Sequence, residues 1–89
     1  MKPKARKSDL VVIRDTGELF IEDLTNKKAI HLNPTSAYVW EKCDGNRNTE
    51  EIAKAMENEF GMNVSEKVVA MAVKKLSEKC LLEVSLKVA

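Results

Sequence analysis

An α+β, winged-helix-like fold is predicted for this chain: a three-stranded antiparallel sheet followed by a three-helix bundle. Three observations carry that reading. Up to Leu32 the apolar residues come in short β-branched or alternating runs separated by turn residues. From Pro34 onward they recur at helical spacing. Between the runs stand short start and stop signals, which leave no room for long crossovers.

The first strand is the run Leu10-Val11-Val12-Ile13. Asp15-Thr16-Gly17 supplies turn chemistry, with Gly17 free to take a positive φ. From Glu18 to Glu22 the residues alternate: Leu19 and Ile21 share one face, Glu18, Phe20 and Glu22 the other. Thr25-Asn26-Lys27 turns the chain again, with Asn26 tolerant of the left-handed region. Ala29-Ile30-His31-Leu32 is the third strand, with Ile30 and Leu32 on one face.

Asn33-Pro34 then starts a helix running to about Cys43, with Asn33 as cap and Pro34 in the first position, where its missing N–H costs nothing. Ser36, Val39, Trp40 and Cys43 lie along one side of it, and Asp44-Gly45 ends it. Thr49 is read as the cap of a second helix, with Glu50 and Glu51 near its positive end and Ile52, Ala53, Met56 and Phe60 as its apolar stripe. Gly61 stops that helix, and Ser65 caps a third whose stripe is Val69, Ala72, Val73, Leu76 and Cys80. Leu81 to Val84 reads as extended, either a last short strand or a segment lying along the sheet. Trp40, Phe20 and Phe60 are read as structural aromatics.

The organisation expected is a flexible basic arm over 1–9, a folded domain over 10–84 and a short tail over 85–89. With 89 residues the chain is one small domain. Leu, Ile, Val and Phe make 23 of the 89 residues, enough to fold around a modest core. Fifteen basic and 14 acidic residues give a net charge of +1, which argues against a dedicated nucleic-acid binder. No apolar run approaches the roughly 20 residues of a membrane span, and no signal-peptide core follows the basic start, so a cytoplasmic protein is expected. Cys43 and Cys80, far apart and outside any C-x-x-C pair, are read as buried reduced thiols.

Catalytic chemistry is hard to find. His31 has no second histidine, cysteine or carboxylate at ligand spacing, so no metal is expected. There is no Gly-rich phosphate loop and no nucleophile motif, and no cofactor is expected. Asp15, Glu18, Glu22 and Asp23 sit beside turns, where solvation is the default. Enzymatic activity by this chain is therefore not expected.

Three segments in this order and spacing resemble one family: His31-Leu32-Asn33-Pro34-Thr35-Ser36-Ala37-Tyr38-Val39-Trp40; Cys43-Asp44-Gly45 followed by Asn48-Thr49-Glu50-Glu51-Ile52; and Leu76-Ser77-Glu78-Lys79-Cys80-Leu81-Leu82. They look like the coenzyme PQQ synthesis protein D family, over about Leu10 to Val84. The resemblance implies a RiPP recognition element. Such a module binds the leader of a ribosomally made precursor peptide and presents it to a modifying enzyme, often a radical S-adenosylmethionine (SAM) enzyme. The leader is then expected as an extra strand beside the third strand, at Ala29, Ile30, His31, Leu32 and Asn33, in a groove bordered by the third helix at Val68, Val69, Ala72 and Val73. Two positions depart from the family pattern: Cys80 stands where glycine is frequent, and Val68 where an acid is frequent.

An unpaired strand edge makes peptide addition physically reasonable without a deep pocket. The competing reading is a winged-helix DNA-binding protein, supported by Lys67, Lys74, Lys75 and Lys79 and opposed by Glu66, Glu78 and the balanced charge. A homodimer formed through an exposed strand edge is compatible with either.

Overall fold

The computed structural model describes residues 2–83. Its elements are β1 (Leu10–Asp15), β2 (Glu18–Asp23), β3 (Lys28–Leu32), α1 (Pro34–Lys42), α2 (Thr49–Phe60) and α3 (Glu66–Glu78). The sheet is antiparallel in the order β1-β2-β3, so β1 and β3 are its two edges. The expected strand-strand-strand-helix-helix-helix architecture is the one found.

Local chemistry explains each boundary. Thr16 and Gly17 both have positive φ, 49° and 87°, which is how a two-residue hairpin matches the twist of its strands. In the second turn Lys27, not Asn26, takes the left-handed conformation, at φ 55°. Asn26 is occupied elsewhere: its N–H and its side chain both donate to Asp23. Asn33 caps α1, accepting from the Ser36 N–H at 2.8 Å. The cap of α2 is Asn48 rather than Thr49, because Asn48 and Glu51 close a reciprocal capping box. Gly61, at φ 68°, ends α2, and Ser65 caps α3.

The inner face of the sheet, Leu19, Ile21, Ile30 and Leu32, packs with Val39, Trp40, Ile52, Val69 and Leu76 in one core. Trp40 is its largest member, and its indole N–H donates to the Leu81 carbonyl at 2.9 Å. Four expected positions differ. Ala37, not Ser36, turns inward from α1. Phe60, at the last turn of α2, lies 45 % exposed, edge-on to the Tyr38 ring. Phe20 is 44 % exposed on the outer face of the sheet and is therefore not a core aromatic. Cys43 is buried, and burial pushes its thiol up to about 11, but Cys80 is exposed.

The expected flexible arm over 1–9 is instead built into the domain from Pro3 to Arg6. Ala5 is buried, its N–H donates to the Cys43 carbonyl at 2.7 Å, and the Arg6 N–H donates to the Leu81 carbonyl at 2.8 Å. The segment runs between residues 43–45 and 81–83, bridging Asp44 on one side and Leu82 on the other. The reason is satisfaction of buried backbone: Ala5 has no bulk to obstruct the close approach, and each neighbour offers unpaired carbonyls. Leu81–Glu83 is thus extended, pairing with the arm rather than with the sheet. Residues 84–89, which include the expected tail, lie outside the described residues.

Arg6 anchors this strap. Its Nη1 and Nη2 donate to Asp23 Oδ2 and Oδ1, both at 3.0 Å, and Nη1 also reaches the Cys80 carbonyl at 3.0 Å. Asp23, expected to be solvated, is fully buried. It further accepts the N–H groups of Thr25 and Asn26, each at 3.1 Å, and the Asn26 amide at 2.8 Å. The Arg6 guanidinium, then these amide donors, hold its carboxyl well below the usual carboxylate range.

Two predictions follow from these contacts. An acid with a depressed folded-state pKa stabilises the fold above its unfolded value of about 3.9, and this contribution is lost as pH falls below that value. The melting temperature of Asp23→Asn should lie far below wild type at neutral pH, and the gap should close between about pH 5 and about pH 2. Separately, Cys80 holds φ 61°, a conformation that costs a non-glycine residue on the order of 1 kcal/mol. Cys80→Gly should raise the chemical-denaturation free energy by roughly 0.5–1 kcal/mol.

Candidate functional site: the open edge of the third strand

The phase of the hydrogen-bond ladder decides what β3 offers. A two-residue hairpin makes its flanking residues, Asp15 and Glu18, a hydrogen-bonded pair. The alternation then pairs Ile13 with Phe20 and Val11 with Glu22 in the same manner. The Leu24 N–H donating to the Asp9 carbonyl at 2.9 Å continues that phase. Leu19, Ile21 and Asp23 must therefore direct their backbone groups toward β3, at Leu32, Ile30 and Lys28. What remains is the outward set: the N–H and C=O of Ala29 and His31, and the N–H of Asn33. Asn33 contributes no more, because its carbonyl accepts from the Ala37 N–H at 2.8 Å and its side chain caps α1.

Among the described residues, no backbone hydrogen bond outside the ladder reaches Ala29 or His31. Their side chains stand on the outer face. The His31 ring lies 4.9 Å from Phe20 at 35°, and its Nε2 pairs with Glu18. These residues border a depression of about 740 Å³, lined also by Val11, Ile13 and Glu22. It is broad and open rather than a reaction chamber. Among the described residues no group of three or more His, Cys, Asp or Glu side chains could hold a metal ion.

α3 stands apart from β3. No residue of α3 comes within 8 Å of β3, Cα to Cα, although both pack against α1. On one flank of α3, whose residues are also exposed, Glu66 accepts from the Thr49 hydroxyl of α2 at 2.7 Å, and Ser77 lines a recess with Arg6 and Ser8. The opposite flank is open, with Val68 47 % exposed and Ala72 half-buried. Of the expected groove residues, Val69 is fully buried and Val73 nearly so, as are the side chains of Ile30 and Leu32. A helix presents only one stripe to its core, and these positions occupy it. Of the expected set, Val68 and the half-buried Ala72 on the helix, and Ala29, His31 and Asn33 along the strand edge, are the accessible members.

The outer-face residues Phe20, Val11 and Ile13 were absent from that set. The alternation around Leu19 and Ile21 already places Phe20 outward; only the assumption that aromatics belong in the core conceals it.

A three-stranded sheet with a free third edge, backed by a three-helix layer, defines a winged-helix-like binding domain. The chain belongs to the family described as coenzyme PQQ synthesis protein D (PqqD), whose profile matches residues 13–82. No curated protein matches it. Among solved structures the fold is similar to that of TbiB1 in complex with the TbiA(beta) leader peptide, with a TM-score of 0.69 and 21% identity, over 90% of this chain and 94% of that one.

The ladder phase is checked by amide hydrogen exchange. Ile30 and Leu32 N–H groups should be protected, whereas Ala29 and His31, one residue away in each case, should exchange many times faster. Equal protection along β3 would mean that the edge is covered.

Proposed function

We propose that the protein is a non-catalytic peptide-binding module, a RiPP recognition element, that takes the leader of a ribosomally made precursor as a fourth strand on β3. The observation that carries this is the unpaired row of backbone groups at Ala29 and His31 on the edge of β3, in a domain whose α3 keeps Val68 exposed. Backbone pairing supplies affinity that depends little on sequence, and the alternate side chains of the guest supply specificity. Guest residues opposite Ala29 and His31 lie over the outer depression. The residues between them face Val68 and Ala72.

The family and the leader complex of its structural neighbour support this reading. The module acts by presenting the held peptide to a modifying enzyme, which we take to be a radical SAM enzyme. Holding the leader in one extended conformation removes part of the ordering cost of that later encounter. The buried Cys43 thiol is held protonated by desolvation, and the one histidine, His31, pairs with Glu18 on an exposed face.

The register determines the test. Proline at Ile30 would remove a donor to β2 and unfold the strand, whereas proline at His31 spares every bond to β2 and removes an outward N–H, which an edge strand tolerates, together with the exposed imidazole paired with Glu18; His31→Ala, which loses the imidazole and keeps the N–H, separates the two. His31→Pro should retain the wild-type circular dichroism spectrum. Its affinity for the leader segment of its precursor peptide, read by calorimetry, should fall at least tenfold, since a loss of about 1.4 kcal/mol is a factor of ten. Val68→Asp should weaken the same binding. Leader affinity unchanged in both folded variants would rule out strand addition at this edge.

A further inference from the structure

The other edge of the sheet is also unpaired, and its chemistry differs. Within 8 Å, Cα to Cα, β1 has neighbours in β2 and in no other element, and its side-chain tie to the helices is the ion pair of Arg14 with Glu41 of α1. By the ladder phase derived above, Leu10, Val12 and Arg14 direct their backbone N–H and C=O away from β2. Among the described residues none of these groups has a backbone partner outside the ladder. Val11 and Ile13, on the outer face, are 44 % and 60 % exposed. Val12 faces the helical side and is still 41 % exposed, because β1 projects beyond the helices. Natural edge strands are protected by lysine, proline, a bulge or a covering element. The run Leu10-Val11-Val12-Ile13 contains none of the residue-level devices.

We propose that this edge is a self-association surface, on which a second copy of the chain adds its own β1 antiparallel about a two-fold axis to form a six-stranded sheet. The sequence of β1 is complementary to itself in one register. With Val12 opposite Val12 of the second copy, the outward-pointing groups of both strands meet, Val11 lies beside Ile13 of the second copy, and Leu10 lies along the aliphatic stem of Arg14. The Arg14 guanidinium is already paired with Glu41, so no free charge is brought to the interface. Asp9 leaves the strand at φ 56°, before it would meet Asp15 of the second copy. The alternative centres are worse: centring on Ile13 sets Val11 against Asp15, and centring on Val11 sets Ile13 against Asp9. A net charge of +1 per copy adds negligible long-range repulsion. The association leaves both β3 edges free at the ends of the joined sheet, and it does not depend on the peptide-binding reading.

Sedimentation equilibrium of the full chain, without peptide, tests the surface. Wild type should show a concentration-dependent monomer–dimer equilibrium. Val12→Pro removes only an outward N–H and should keep the wild-type circular dichroism spectrum while weakening dimerisation at least tenfold. Val12→Lys, which keeps the backbone donor and adds a charge, should do the same. A wild type that remains monomeric at millimolar concentration, or a dimer that survives both substitutions, overturns the proposal. The register is read by oxidative cross-linking in a Cys80→Ser background. Hydrogen-bonded antiparallel partners lie about 5.5 Å apart at Cα, within disulfide reach. Val12→Cys should therefore form a covalent dimer and Ile13→Cys should not. The opposite result overturns the Val12-centred arrangement.

Discussion

A single buried carboxylate organises the parts of this molecule that have no extensive core of their own. Asp23 joins three segments: the N-terminal strap through Arg6, the end of β2 on which it sits, and the turn that starts β3 through Thr25 and Asn26. Arg6 is half-buried and Thr25 and Asn26 lie at the surface, and the buried carboxylate without these donors would be strongly disfavoured. The arrangement is therefore all or nothing. Arg6 also ties the end of α3 to the strap through the Cys80 carbonyl. The same cluster that closes the bottom of the domain thus fixes where β3 begins, and so where its open rim lies.

Function at the rim is a matter of what is left unpaired. β2 uses both its edges, and β3 uses one. The residues whose side chains build the core, Ile30 and Leu32, are those whose backbones are consumed by β2, while Ala29 and His31 have both side chain and backbone available. In an antiparallel edge strand these two properties are locked together by the period of two. Core packing and the open edge are consequently divided residue by residue along the same five-residue strand.

How much of this the chain announces in advance depends on the range of the interaction. Strands, helices and caps are set by near neighbours, and the runs at Leu10, Glu18 and Ala29 and the caps at Asn33 and Ser65 were visible in the residue pattern. The cap of α2 was misplaced by one residue because Asn48 and Thr49 are both good caps; the reciprocal bond from Glu51 decides between them. The rim at Ala29 and His31 and the flank at Val68 were within the expected set, whereas Val69 and Val73 belong to the core, which helical periodicity around Leu76 already implies. The strap was hidden. Arg6 and Asp23 are 17 residues apart, and nothing in a run of basic residues marks one of them for burial. Ala5 likewise becomes interior only because segments near positions 43 and 81 arrive on either side of it.

The strap has one more effect. Because the Glu83 N–H donates to the Lys4 carbonyl at 2.8 Å, the chain enters and leaves the fold side by side. A domain with adjoining ends can be spliced into a surface loop of another polypeptide at little entropic expense, since the gap to be closed is short. The geometry is that of a unit that can be tethered at both ends to one point without opening the strap.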